Sequence, residues 1–115
     1  MNKFILGSAQ MGMSYGVSNK LGKVRSVEAK KIINFAERNN IQTIDTAMNY
    51  GSSEELLGKI CDKSWKIITK IPKFPDNLSN ISSWFDKKIL KSLESLKRTN
   101  IDTLLVHEPK DLKNN

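Results

Sequence analysis

Short apolar runs alternate with longer segments of helical periodicity along this chain of 115 residues. The runs at about 3–7, 41–45, 65–70 and 102–107 have the length of buried strands. Between them, apolar residues recur every three or four positions, which is typical of helices that bury one side. This alternation predicts parallel strands joined by right-handed helical crossovers.

Capping and turn residues set the expected helix boundaries. Ser26 is the predicted cap of a helix over 26–38, and a capping box of Ser52 with Glu55 predicts the start of the next helix. A third helix is expected over about 81–98 and ends by Asn100, and Asp111 begins a possible fourth. The predicted buried positions are Ala29, Ile32, Ile33, Ala36, Leu56, Leu57, Ile60, Cys61, Phe85, Ile89, Leu93 and Leu96.

Four strand–helix units fit two architectures. One is a doubly wound open sheet and the other is part of an eight-stranded barrel, and in both the ligands bind at the carboxyl ends of the strands. The length supports a single domain over residues 1–115. A complete barrel needs about 250 residues, so this chain would supply about half of one.

Three of the predicted strands end on an ionisable residue. Asp45 ends the second strand, Lys70 the third and His107 the fourth, and Tyr50 follows Asp45 on the next loop. Taken singly, each residue also has a structural interpretation. Asp45 is suited to cap the next helix, and Lys70 to be a solvated charge at the rim. A lone histidine such as His107 is often structural, and the Tyr50 ring is suited to packing in the loop. Because all four fall at the same end of consecutive units, the sequence predicts that they share one site.

Such a set suits proton donation to a carbonyl group. A free tyrosine has a pKa near ~10, and a nearby lysine ammonium favours the phenolate by roughly 4 kcal/mol at ~4 Å and an effective dielectric constant of ~20. The Asp45 carboxylate would hold the Lys70 amine while it cancels part of this effect. An imidazole beside the phenol can donate a hydrogen bond to the substrate oxygen.

Composition narrows the possible partners. The net charge is +7, from 19 Lys+Arg against 12 Asp+Glu, but the lysines are interspersed with acids, which favours a solvated surface over a nucleic-acid interface. A single cysteine indicates a reducing compartment, and no apolar run approaches the ~18 residues of a membrane span. We therefore expect a cytoplasmic protein that binds neither nucleic acid nor a membrane, and no metal site is predicted.

Several segments together resemble the aldo-keto reductase family. They are Leu6-Gly7-Ser8-Ala9-Gln10 with Tyr15-Gly16, then Ile44-Asp45-Thr46-Ala47 with Tyr50-Gly51 and Ser53-Glu54, then Ile68-Thr69-Lys70, and Leu104-Leu105-Val106-His107-Glu108-Pro109. The segments occur in the family's order and cover nearly the whole chain. The variant that opens directly on Leu-Gly-Ser-Ala-Gln is a bacterial one, often found with genes for sugar and surface-polysaccharide chemistry.

The resemblance implies the N-terminal half of a TIM barrel that reduces carbonyl compounds with NADPH. It implies that Tyr50 is the proton donor, Lys70 the cation that activates it, Asp45 the partner of Lys70, and His107 the residue that orients the carbonyl. It also implies that Gly7, Ser8 and Ala9, with Asp45, lie near the nicotinamide end of the cofactor.

Half a barrel leaves two classes of function open. The first is an NADPH-dependent reductase, or its catalytic half, that acts on a small carbonyl substrate but lacks most of the family's cofactor-binding strands. The alternative is a non-catalytic half-barrel that serves as an assembly or binding module. In either case the first and fourth strands would have open, apolar edges, so we expect a homo-oligomer.

Overall fold

The computed structural model describes residues 3–16, 19 and 22–113. Its strands are β1 (Leu6–Gly7), β2 (Thr43–Asp45), β3 (Lys66–Ile71) and β4 (Thr103–Val106). Its helices are α1 (Ala9–Gly12), α2 (Ser26–Arg38), α3 (Ser53–Ile60) and α4 (Ile81–Leu96), followed by a 3₁₀ helix over Pro109–Lys113. Within the glycine-rich loop predicted from Ser8 to Val24, positions 17, 18, 20 and 21 lie outside the described residues.

The order of the strands decides between the two architectures. All the neighbouring strands are parallel, and the sheet runs β1-β2-β3-β4 without a reversal. A doubly wound sheet reverses its strand order at the point where it binds its ligand, whereas a barrel adds each strand beside the previous one. The sheet is therefore four consecutive strands of a barrel, as the family resemblance implies.

The two faces of the sheet differ in burial. On the helix-facing side, Ile44, Ile67 and Ile71 are fully buried. Ile44 and Ile67 belong to the same core cluster as Trp65 and Ile33. On the opposite side, which lines the interior of a complete barrel, Asp45, Ile68 and Lys70 are only partly buried and Leu105 is 43% exposed. The chain thus packs one face under its helices and leaves the other face open.

Three of the predicted cap and core assignments are wrong in detail. Helix α2 begins at Ser26 with Arg25 in the N-cap position, so Ser26 does not cap it. Ser52 does occupy the N-cap position of α3, but its side chain makes no capping hydrogen bond, and its hydroxyl accepts one from Lys23 Nζ at 2.7 Å instead. Ile32, predicted to be buried, is 37% exposed on the flank of α2.

The ends of the other elements also shift. Helix α4 stops at Leu96, because Lys97 adopts a left-handed conformation with φ of 53°, and not at Asn100 as predicted. Strand β1 is shorter than its apolar run, since Phe4 and Ile5 precede the ladder. Helix α1 lies in the segment that was predicted as loop.

Helix α3 lies between α2 and α4 and contacts both. Gly58 allows its close approach to α4, since a Cβ there would lie 2.3 Å from the Ser95 carbonyl oxygen. In the described part of the chain, none of the helices combines the length and apolar character that crossing a bilayer requires.

Candidate active site

Asp45, Lys70 and His107 lie at the carboxyl edge of the sheet on its open face. Asp45 ends β2, Lys70 is the last residue but one of β3, and His107 directly follows β4. The register is staggered, since Asp45 is opposite Ile68 and Lys70 is opposite Leu105. Lys70 therefore lies two residues further along the barrel axis than Asp45, and His107 lies two residues further than Lys70. This step of two residues from one strand to the next is what strand tilt in a barrel requires.

The long side chain of Lys70 reaches back across this step to Asp45. Its Nζ lies 2.8 Å from both Asp45 carboxylate oxygens and 2.9 Å from the carbonyl oxygen of Thr46. These three contacts account for the three hydrogens of the ammonium group. The side chains are 17% and 33% exposed, so the pair is shielded from solvent on most sides.

Tyr50 lies on the turn that connects β2 to α3. The turn is closed by two backbone hydrogen bonds, from Tyr50 N–H to the Ala47 carbonyl at 3.1 Å and from Ser53 N–H to the Tyr50 carbonyl at 3.0 Å. The Lys70 Nζ lies 5.1 Å from the centre of the Tyr50 ring. Among the described residues, no hydrogen bond joins Lys70 to the phenol oxygen.

His107 completes the cluster. Its ring meets the Tyr50 ring edge to face, with centroids 5.9 Å apart. Its Nδ1 is buried and has no hydrogen-bond partner in the described part of the chain. The structure thus brings the four predicted residues Asp45, Tyr50, Lys70 and His107 together at one edge of the sheet.

Two glycines fix the turn that bears Tyr50 against α1. A Cβ on Gly12 would lie 1.7 Å from the Tyr50 carbonyl oxygen, and one on Gly51 would lie 2.1 Å from the Gly12 carbonyl oxygen. Gly51 also has a φ of 54°, which disfavours any residue with a side chain. The backbones are therefore in direct contact, and only glycine fits at either position.

Three buried hydroxyl groups hold the same region together. Ser8 Oγ donates to the Asp45 carbonyl oxygen at 2.8 Å, Ser53 Oγ donates to Ser8 Oγ at 3.0 Å, and Thr46 Oγ1 lies 2.9 Å from Ser53 Oγ. Each of the three side chains is at most 1% exposed. This cluster joins the ends of β1 and β2 to the first turn of α3, and so it positions both Asp45 and Tyr50.

Besides Asp45, three residues were predicted near the cofactor, and their surroundings differ. The Ser8 side chain is 1% exposed and its hydroxyl is already hydrogen-bonded. Gly7 is exposed at the end of β1, and a Cβ there would meet no atom within 4 Å. Ala9 is partly buried and begins α1. Open space at this end of the sheet therefore lies above Gly7, not beside the Ser8 hydroxyl.

A residue that sequence reasoning did not single out also faces the site. The Tyr15 ring lies 6.4 Å from the Tyr50 ring, and it is 56% exposed. Its carbonyl oxygen accepts hydrogen bonds from the side-chain amides of Gln10, at 2.9 Å, and Asn19, at 3.0 Å. The Tyr15-Gly16 pair is visible in the sequence and was a signal for this residue, but the sequence does not show that the loop that carries it folds back over Tyr50.

Two clefts of the molecule lie away from the four residues. One of about 440 Å³ is bordered by Lys23, Ser52 and Lys59, and one of about 600 Å³ lies beside Phe74 and Lys110. The four clustered residues line the open face of the sheet instead. A substrate pocket at their position needs further walls.

Comparison with known proteins agrees with the fold. The model of the aldo/keto reductase family matches residues 3–113. No match was found among curated proteins. A crystal structure of a Pseudomonas aeruginosa protein assigned to the aldo-keto reductases is 27% identical, with a TM-score of 0.78 over 96% of this chain and 46% of that one.

A more distant structure shares the fold. An aldo-keto reductase from Bacillus halodurans, in its holo form, is 18% identical, with a TM-score of 0.65 over 92% of this chain and 37% of that one. The chain therefore spans less than half the length of these structural relatives, and it corresponds to the N-terminal half of their barrels.

Proposed function

Because this chain belongs to the aldo-keto reductase family, we propose that Asp45, Tyr50, Lys70 and His107 are the proton-donating part of a site that reduces a carbonyl compound to an alcohol with NADPH. The observation that carries the proposal is the Lys70–Asp45 ion pair beneath the Tyr50 ring, with His107 against the same ring. The substrate class is a small molecule with an aldehyde or ketone group.

Tyr50 is the proton donor in this proposal. Reduction adds a hydride to the carbonyl carbon and a proton to the oxygen, and NADPH, when bound, supplies the hydride. The phenol gives its proton to the oxygen as negative charge develops there, so the Tyr50 hydroxyl acts only in the chemical step. The close contact between Gly12 and the Tyr50 turn holds the ring in place for this step.

Lys70 and Asp45 set the charge below the phenol. The ammonium stabilises the phenolate that remains after proton transfer, and Asp45 holds the ammonium in place. The Asp45 oxygens are 2.8 Å from Nζ, whereas the centre of the Tyr50 ring is 5.1 Å away, so the ion pair neutralises much of the cation's field. The placement of Lys70 thus matters as much as its charge.

His107 orients the carbonyl group. A neutral imidazole carries one N–H, and a buried donor without a partner costs more than a buried acceptor without one. The partnerless Nδ1 therefore favours the form of His107 that has its proton on Nε2. That N–H is the group that donates a hydrogen bond to the substrate oxygen.

The residues of this chain fit only the nicotinamide end of NADPH. Gly7 leaves open space at the end of β1, and the partly exposed Asp45 carboxylate lies in the next strand, whereas the buried Ser8 hydroxyl is already hydrogen-bonded. The remainder of the cofactor would rest on strands that follow β4 in the longer relatives. In this proposal the protein works in the reducing cytoplasm, which agrees with the free thiol of Cys61.

The isolated chain is accordingly proposed not to hold NADPH by itself. Titration of the purified 115-residue chain with NADPH, followed by nicotinamide fluorescence, tests this point, and we expect no saturable binding. Tight, saturable binding that is lost on substitution in the segment after Ser8 would contradict it. Absence of NADPH binding is also what the alternative function predicts, in which the half-barrel serves only as an assembly or binding module. The two functions are separated by Tyr50→Phe in a completed barrel, which lowers kcat only if Tyr50 is the proton donor.

A further inference from the structure

Glu54 is a buried ionisable residue that has no role in the proposed proton transfer. It is 8% exposed, and in the described part of the chain it forms no ion pair. Its Oε2 atom accepts two hydrogen bonds, one from Thr69 Oγ1 at 2.9 Å and one from Ser92 Oγ. Burial of a carboxylate without a cation is costly, and neutral hydroxyl donors recover only part of that cost. A need for these directional hydrogen bonds would account for the residue.

One of the two hydrogen-bond donors, Thr69, directly precedes Lys70 in β3. Successive side chains of a strand point to opposite faces of the sheet. Thr69 is fully buried on the helix-facing side, whereas Lys70 lies on the open face and contacts Asp45. Because adjacent Cα atoms are a fixed ~3.8 Å apart, any displacement of β3 at Thr69 also displaces Lys70.

Glu54 is also joined to the turn that carries Tyr50. It lies in the first turn of α3, next to Ser53, whose N–H donates to the Tyr50 carbonyl oxygen at 3.0 Å. Ser53 Oγ lies 2.9 Å from Oγ1 of Thr46, the residue that follows β2. Two consecutive residues of α3 therefore contact the two strands that bear the ion pair: Ser53 reaches the end of β2, and Glu54 reaches Thr69 in β3.

Backbone hydrogen bonds restrain β3 in a different direction. The Thr46 N–H donates to the Ile68 carbonyl at 2.8 Å, and the Met48 N–H donates to the Lys70 carbonyl at 3.1 Å, so the ladder between β2 and β3 continues past Asp45. Ladder bonds lie in the plane of the sheet. The hydrogen bond from β3 to Glu54 crosses from the sheet to the helix layer, and so it restrains the distance between β3 and the start of α3.

We propose that Glu54 is a positioning residue, which sets the distance between the Lys70 ammonium and the Tyr50 ring through its hydrogen bond to Thr69. The distance held in this way is the 5.1 Å from Nζ to the centre of the ring. The effect of a charge depends on its distance, and a misplacement of ~1 Å in an active site can cost ~100-fold in rate. The inference rests on the proposed function, since this distance matters for catalysis only if Tyr50 is the proton donor.

The two donors to Glu54 provide a matched pair of substitutions, which is needed because substitution of Glu54 itself endangers the fold. Thr69→Val and Ser92→Ala each remove one buried hydroxyl from the same carboxylate oxygen, so the two variants should lose similar stability. Only Thr69 is adjacent to Lys70, since Ser92 lies in α4. Thr69→Ser keeps the hydroxyl and should restore the parent's behaviour. Urea denaturation verifies that the variants fold and that the first two are equally destabilised.

The first measurement is an NMR spectrum of the 115-residue chain, which needs no enzymatic activity. The Lys70 ammonium lies over the Tyr50 ring, so the ring shifts the proton signal of the adjacent methylene group to lower frequency. Loss of this signal in Lys70→Met identifies it. We expect the signal to move toward that of an exposed lysine in Thr69→Val, because the ammonium leaves its place over the ring, and to stay in place in Ser92→Ala.

The second measurement is the rate of carbonyl reduction by a completed barrel that carries residues 3–113 as its first half. Thr69→Val should lower kcat by roughly 10-fold or more and change the Kd for NADPH by less than about twofold, because only the placement of Lys70 is altered. Ser92→Ala and Thr69→Ser should keep kcat within about threefold of the parent value. A loss of stability alone would lower kcat equally in Thr69→Val and Ser92→Ala.

Three results would overturn the proposal. They are equal losses of kcat in Thr69→Val and Ser92→Ala, a Thr69→Val enzyme with the parent's kcat, and a Lys70 signal that moves in both variants or in neither. Failure of the reductase function is a different result, because Tyr50→Phe would then keep the parent's kcat. In that case the Lys70 signal of the 115-residue chain still decides whether Glu54 positions Lys70 against the Tyr50 ring.

Discussion

The Nζ atom of Lys70 lies 2.8 Å from both carboxylate oxygens of Asp45, across 25 positions of sequence and between two neighbouring strands. The staggered register places Lys70 one step beyond Asp45, and a lysine is long enough to span that step. The ion pair therefore holds the ends of β2 and β3 together as well as placing a charge below Tyr50.

Asp45→Asn should destabilise the chain by about 1–2 kcal/mol, because it removes a charge-assisted contact that is only one-third exposed. Urea denaturation followed by circular dichroism measures the change. Glu28→Gln is the control: its ion pairs with Arg25 and Lys31 lie on the surface, so the expected change is below about 0.5 kcal/mol. Equal effects of the two substitutions would contradict the special role of the Lys70 pair.

Gly12→Ala should destabilise the chain by about 1–3 kcal/mol or more, because the new Cβ would overlap the Tyr50 carbonyl oxygen. Gly7→Ala, at a position where a Cβ meets no atom within 4 Å, is the matched control and should change stability by less than about 1 kcal/mol. Thermal unfolding of the two variants decides the matter, and a Gly12→Ala protein as stable as the parent would show that the turn can move.

Glu54→Ala should be strongly destabilising, although glutamate is an ordinary surface residue. The residue is 8% exposed, and its carboxylate accepts hydrogen bonds from the buried hydroxyls of Thr69, at 2.9 Å, and Ser92, so it joins α3 to β3 and α4. Removal leaves two buried hydroxyls without this acceptor, at a cost of about 2–4 kcal/mol. Glu55→Ala, at the exposed neighbour, should be nearly neutral in the same denaturation experiment.

The thiol of Cys61 should react only when the chain unfolds. Burial raises its pKa to about 12, so at pH 8 roughly one folded molecule in ~10,000 carries the thiolate, which is the reactive form. Reaction with an aromatic disulfide reagent should be at least about 1,000-fold slower in buffer than in 6 M urea, and no other cysteine competes. Equal rates in the two solvents would mean that the core around α3 opens readily.

The same pKa shift predicts a loss of stability at alkaline pH. The folded state keeps the Cys61 proton above the model-compound value of 9.0, whereas the unfolded chain loses it, so the folded state binds more protons and stability falls as pH rises from 9 toward 12. Cys61→Ala should remove this part of the pH dependence. Urea titrations of both proteins at pH 8 and pH 10 would give the free energies of unfolding. If that free energy falls equally in both proteins between the two pH values, the pKa shift of Cys61 is contradicted.

Local patterns in the sequence were enough to predict the strands and the positions of the ionisable residues at their ends. Asp45, Lys70 and His107 share an edge because the carboxyl ends of parallel strands all lie at the same edge of a sheet, and that follows from strand–helix alternation alone. The strand order did not follow from it, since both a doubly wound sheet and a barrel have the same alternation. The order β1-β2-β3-β4 comes from pairing between distant segments.

Features that depend on contacts between distant segments were not predicted. The burial of Glu54 requires α3, α4 and β3 to meet, and the close fit at Gly12 requires α1 to lie on the Tyr50 turn. The end of α4 was missed for a different reason: Lys97 adopts a left-handed conformation that glycine or asparagine usually provides, so the residue type gave no signal.

The central claim is that Tyr50 donates the proton in carbonyl reduction. Its most direct test is the rate of NADPH oxidation by a completed barrel that carries residues 3–113 as its first half, with and without Tyr50→Phe. The account predicts that kcat falls by roughly 10²- to 10⁴-fold while the Kd for NADPH changes less than about twofold, since the phenol acts only in the chemical step. A Tyr50→Phe enzyme that retains the parent's kcat would contradict the account.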